Sequence, residues 1–150
     1  MTKYISILLA CTISSISWGH QLVLAKFRVT SGTQNRVDIT KTLVSQKAYT
    51  VFYKTTKNDS LYMANVWDKN STQSFGVLYP EYSKETRGAD NAKTYHFKWA
   101  YRNDYDSKHG MALITIEKIF KPKRTLSVLT IITDHADTLI YKGYMEGSLR

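Results

Sequence analysis

Two short segments bring ligand-type side chains together. Asn103-Asp104-Tyr105-Asp106-Ser107 sets oxygens at alternate positions, as calcium loops do. Such a loop then needs another oxygen and a distal carboxylate, and Lys108 and His109 stand where an acid would help. A hairpin turn closed by Gly110 accounts for the same residues. Asp134-His135-Ala136-Asp137 gathers two acids around a histidine. It lies between two apolar runs, where Asp is an ordinary turn former. Paired-carboxylate catalysis needs two acids facing each other. Glu81 and Glu85 share one expected loop and Glu117 stands alone on an expected strand. The chain has no Gly-x-Ser-x-Gly elbow and no Gly-rich phosphate loop after a strand. No acid–base or nucleophile set can be assembled, so the expectation is a protein that is not an enzyme and carries no metal or cofactor.

The strongest signal is aromatic. Tyr95, Phe97, Trp99 and Tyr101 alternate with His96, Lys98, Ala100 and Arg102. A helix would scatter these rings around its circumference, whereas a strand gathers them on one face. Trp67 ends a similar run, Leu61, Met63, Asn65, Trp67. Facing into a barrel, these five residues would line a site for a small apolar or aromatic ligand. Facing outward beside Lys98 and Arg102, they would stack on a polymer. Filled into a core, they would leave a structural or protein-interaction module of the cell envelope.

The elements that must position them read as strands almost throughout. Val23 to Val29, Tyr49 to Lys54, Leu61 to Trp67, Ala112 to Ile116 and Leu139 to Met145 all alternate, and Gly143 marks a bulge or close approach. Leu126 to Thr133 is apolar at both parities and reads as the most buried strand. Turn chemistry separates the runs at Ser31-Gly32, Lys57-Asn58-Asp59, Asp68-Lys69-Asn70, Asp106 to Gly110, Lys121-Pro122-Lys123 and Asp134 to Asp137. Residues 36–45 are ambiguous, with Val37, Thr40 and Val44 at helical spacing. Pro80 to Ala92 is the longest expected loop. The fold class is therefore all-β: a single-domain antiparallel meander of about eight strands, as barrel or sandwich.

That general plan resembles lipocalin-like barrels. The resemblance is one of architecture. The early Gly-x-Trp of lipocalins is missing from Leu22 to Gly32, so no site residue is carried over.

Residues 1–19 read as a secretory signal peptide: Lys3, an apolar run from Tyr4 to Ala10, then Ser17-Trp18-Gly19 before the cut. Leu8-Leu9-Ala10-Cys11 offers a lipoprotein alternative, anchored at Cys11. Cleavage at Gly19 leaves residues 20–150 as one β domain starting at His20. An N-terminal histidine can chelate copper with a second histidine, but no spacing selects among His96, His109 and His135. Cys11 is the only cysteine, so the domain has no disulfide framework and rests on its hydrophobic core. No apolar run reaches the length of a transmembrane helix. The whole chain carries 21 basic and 12 acidic residues, a net charge of +9, and loses one charge with Lys3. The excess favours anionic partners in the periplasm or outside the cell, a glycan or lipid headgroup, while export argues against nucleic acid.

Overall fold

The computed structural model describes residues 21–55, 57–67, 71–81, 92–121 and 123–149. The expected signal peptide with Cys11, His20, the Asp68-Lys69-Asn70 turn, Pro122 and residues 82–91 with Glu85 lie outside the described residues. In chain order the elements are β1 (Gln21–Gln34), β2 (Val37–Asp38), α1 (Thr40–Ser45), β3 (Tyr49–Thr55), β4 (Asn58–Trp67), β5 (Ser71–Glu81), β6 (Ala92–Asn103), β7 (His109–Phe120), β8 (Thr125–Thr133) and β9 (Thr138–Gly147). From β3 to β9 each strand pairs antiparallel with the next, and β1 pairs with both β3 and β9. Eight strands thus close into a barrel, and β2 is a short extra strand on β1. This decides barrel over sandwich.

β1 is long because it serves three neighbours. Its first half pairs with β3 as far as Arg28, opposite Tyr49. Beyond that point α1 covers the same edge. The Ile39 N–H donates to the Gly32 carbonyl at 3.0 Å, and the Gly32 N–H donates to Thr40 Oγ1 at 3.1 Å. The helix thereby satisfies an edge that would otherwise be open to another strand. Leu43 drops from α1 into the core and is fully buried. Gly32 makes room for it: a Cβ there would meet Leu43 Cδ1 at 2.6 Å and a Tyr141 ring carbon at 2.9 Å.

Three expectations are corrected here. Ser31-Gly32 is not a turn. β1 bulges between Val29 and Ser31 and runs on to Asn35-Arg36, where both residues take positive φ, 51° and 69°. That backbone suits a two-residue hairpin. Residues 40–45 are helical, but the spacing chose the wrong face: Val37 and Val44 are 64% and 53% exposed, and Leu43 is the anchor. β8 is not buried on both faces. Ser127, Leu129 and Ile131 point inward, while Ile132 is exposed, because a barrel strand always turns one face to the outside. Gly143 is a close approach, as expected. Any Cβ on it would fall on the Arg28 carbonyl across the β1–β9 pair.

The interior is filled unevenly. Towards the end where β1 begins, Phe27, Phe52, Met63, Phe97, Ile116 and Leu129 are buried in one cluster. Towards the other end the inward positions hold short or polar residues, such as Gly76, Ser74, Asn65, Gly110 and Thr133. Large side chains thus close one end, and small ones leave the other open.

Trp99 sits between the two halves, 2% exposed, its indole N–H donating to the Gly76 carbonyl at 3.2 Å. Trp99→Ala should cost about 3–5 kcal/mol, a large share of the roughly 5–15 kcal/mol typical of a domain. Lys98, its neighbour on the outer face, makes an exposed ion pair with Glu81 at 2.8 Å, so Lys98→Ala should cost within about 1 kcal/mol. Urea melts of the two variants check the order. Equal, small losses would refute the inward assignment.

Candidate binding cavity at the open end

The open end holds a cavity of about 410 Å³, within the roughly 300–1,000 Å³ usual for small-molecule sites. Its floor is aromatic and aliphatic: Trp99, Tyr101 and Tyr141, with Ile131 and Leu139, and Trp67 at the side. The Trp99 and Tyr101 rings meet at 5.5 Å with a 38° tilt, so they offer a stepped wall rather than a flat one. Amides stand above this floor. Thr50 Oγ1 donates to Asn65 Oδ1 at 2.8 Å, and Ser74 Oγ donates to Asn103 Oδ1 at 2.8 Å. Each carbonyl oxygen is thereby engaged, which leaves the amide NH₂ as the group presented to the cavity.

The rim is built by two turns. In the β6–β7 turn the Lys108 N–H donates to Asp106 Oδ1 at 2.9 Å, the Asn103 N–H donates to the Lys108 carbonyl at 2.7 Å, and Ser107 takes a φ of 58°. Two of the oxygens that resembled calcium ligands are engaged, Asp106 by the Lys108 N–H and Asn103 by Ser74 of β5. In the β8–β9 turn Asn35 binds Asp137 Oδ1 at 2.9 Å and receives the Thr138 N–H at 2.8 Å. Asp134 accepts the Met111 N–H at 3.1 Å and the Tyr101 hydroxyl at 3.2 Å. The Met111 N–H, with the Tyr101 hydroxyl and His135, holds its carboxyl below the usual range.

Of the five residues expected to bind ligand, all belong to inward rows, but the structure divides them. Trp67, Trp99 and Tyr101 line the cavity. Phe97 and Tyr95 do not; they pack into the cluster at the closed end. Sequence reasoning missed Tyr141, Gln34 and Gln73, and it read the segments of Tyr105, Asp106, Lys108, His135 and Asp137 as turns rather than as the border of a cavity. The alternation of Leu139 and Tyr141 in β9 carried a signal, since both share the inward parity of Leu129 and Ile131. The rim segments did draw notice for their ligand-type side chains, but turn residues look alike whether or not they border a site. His96, His109 and His135 lie on different segments, and among the described residues no cluster of His, Cys, Asp and Glu could hold a metal ion.

The charge around the cavity differs from that of the chain. Asp106 and Asp137 line it beside Lys108 and His135, with Asp134 just behind Tyr101. The excess positive charge lies elsewhere. Compared with known proteins, the chain matches no family model, no curated protein and no solved structure.

Three buried phenols give this architecture a pH signature. Burial, aided by Asp134, pushes Tyr101 up to about 12; burial beside Tyr62 pushes Tyr53 up to about 12; burial raises Tyr141 further. An unfolded tyrosine ionises at its ordinary value of 10.0, so ionisation favours the unfolded chain. The stability these phenols contribute is full below pH 10 and is lost as pH rises through 10 towards 12. Urea midpoints against pH, read beside tyrosinate absorbance, should show that fall. Ionisation of every tyrosine near pH 10 in a still-folded protein would contradict it.

Proposed function

We propose that this protein is a non-catalytic binding barrel, exported from the cytoplasm, that holds a small ring-bearing molecule in its open end. The observation that carries the reading is the uneven interior: a cavity of about 410 Å³ floored by Trp99, Tyr101 and Tyr141, above a core that is filled. Aromatic rings stack on flat apolar faces, and the Asn65 and Asn103 amides donate to hydroxyl or carbonyl oxygens. The rim carboxylates disfavour an anion. The ligand class is therefore an uncharged or cationic ring with polar substituents, and a hydroxylated aromatic is the simplest probe. Anionic polymers have no place in this cavity.

A second reading, an interaction module of the envelope, is favoured by one observation. The outward face of β3–β5 carries its own apolar cluster, with Tyr53, Ala64 and Val66 buried and Tyr53 stacked on Tyr62 at 5.4 Å.

Intrinsic tryptophan fluorescence, titrated with phenolic compounds and with their carboxylated analogues, tests the first reading. The phenols should bind and the carboxylates should bind more weakly. Trp67→Ala should weaken phenol binding about tenfold, the value of one lost aromatic contact of ~1.4 kcal/mol. Stronger binding of the anionic analogues, or an unaltered affinity in Trp67→Ala, would overturn it.

A further inference from the structure

The β7–β8 hairpin, at the closed end, has a composition that neither the cavity nor the core accounts for. From Lys118 to Leu126 the chain reads Lys-Ile-Phe-Lys-Pro-Lys-Arg-Thr-Leu, four cations and no acid. The tip is tight. The Lys121 N–H donates to the Arg124 carbonyl at 3.1 Å, and the Arg124 N–H donates back to the Lys121 carbonyl at 3.3 Å. Only Pro122 and Lys123 stand between them. Lys121, Lys123 and Arg124 are exposed, and beside them Phe120 is 48% exposed, a large apolar side chain at the tip of a basic hairpin. Arg124 lies over the Tyr144 ring at 4.9 Å, and Lys93 and Lys118, register partners on the adjacent β6–β7 pair, both lie over Tyr95. Of the four described carboxylates towards this end, Asp59 is held by Lys54, Glu81 by Lys98 and Glu146 by Arg28, and the fourth is Glu117 on β7. The opposite end carries Asp38, Asp104, Asp106, Asp134 and Asp137 balanced by Arg36, Lys41, Lys47, Arg102 and Lys108, so the excess of cations lies towards the closed end.

We propose that the closed end docks on an anionic lipid surface through this hairpin, with Lys121, Lys123 and Arg124 at the headgroups and Phe120 in the interface. Charge decides the sign of the partner. Phe120 decides its kind, because a soluble polyanion offers an aromatic side chain nothing to enter, whereas a bilayer interface does. The paired hydrogen bonds between Lys121 and Arg124 hold these side chains at one end of the hairpin. Docked this way, the open end and its cavity face away from the membrane, which leaves the cavity open to solvent. The inference does not depend on what the cavity holds.

Flotation of the full chain with vesicles tests it. Vesicles containing phosphatidylglycerol should bind the protein, pure phosphatidylcholine vesicles should not, and salt should release it. Each basic residue near such a surface is worth about fivefold in affinity. Lys121→Ala with Lys123→Ala should therefore lower binding about 25-fold, with the urea midpoint unchanged because both side chains are exposed. Phe120→Ser should weaken binding to the anionic vesicles but leave retention on heparin, a soluble polyanion, as it was. Three results would overturn the proposal. One is equal binding to both kinds of vesicle, which would point to residues 1–19. A second is loss on heparin and vesicles alike in the lysine variant, with no effect of Phe120→Ser, which would point to a polyanion. The third is no vesicle binding at all.

Discussion

Closure of the barrel rests on β1 and β9, the first and last strands described. Nine register pairs join them, from Ala25 opposite Gly147 to Gln34 opposite Leu139. Their residues lie more than a hundred positions apart in the chain, as Thr30 and Lys142 do, so the entropy of bringing the ends together opposes the first of these pairs to form. Two local features offset it. Gly143 lets the backbones approach where β1 bulges, and Asn35 fastens the open end with hydrogen bonds to Asp137 and Thr138. Without this seam the inward rows of eight strands would share no common interior.

The interior that closure creates is divided between a filled apolar half and a half where polar side chains stand above an aromatic floor. Phe27, Phe52 and Phe97 fill the half where β1 begins. Gly76 and Gly110 hold inward positions towards the other end, and a Cβ on Gly110 would already meet the Asp134 carboxylate at 2.5 Å. At Gly76 a Cβ would fall on the Ala100 carbonyl of β6, and the Gly76 carbonyl accepts the Trp99 indole N–H. The division also explains why one aromatic row serves two purposes. Tyr95 and Phe97 stabilise the fold, while Trp99 and Tyr101 form a floor.

Much of this was legible in the residues, and the illegible part has a physical cause. Alternation along Tyr95–Tyr101 and Leu61–Trp67 reveals strands and their parity, because side-chain direction in a strand follows from the backbone. Parity does not reveal which end of a barrel is full, since that depends on what the seven other strands place at the same height. Gly32 reads as a turn in sequence and proves to be a contact point, because the helix that needs the space lies eight residues downstream at Thr40. Leu43 was missed for a related reason. A six-residue helix is too short to show a period, so Val37 and Val44 are as plausible as anchors as Leu43 is. Net charge was legible as a sum, but its concentration towards the closed end, with the open end balanced, is a product of strand order.

The central claim is that the open end of the barrel is a binding cavity. An amide-resolved NMR titration of the full chain with phenol tests it most directly. The account predicts saturable shifts confined to residues around the cavity, among them Gln34, Asn65, Gln73, Asn103 and Thr133, with the Lys121–Arg124 tip unmoved. Shifts centred on the outer cluster of Tyr53, Tyr62 and Val66, or no saturable shift at any residue, would contradict it.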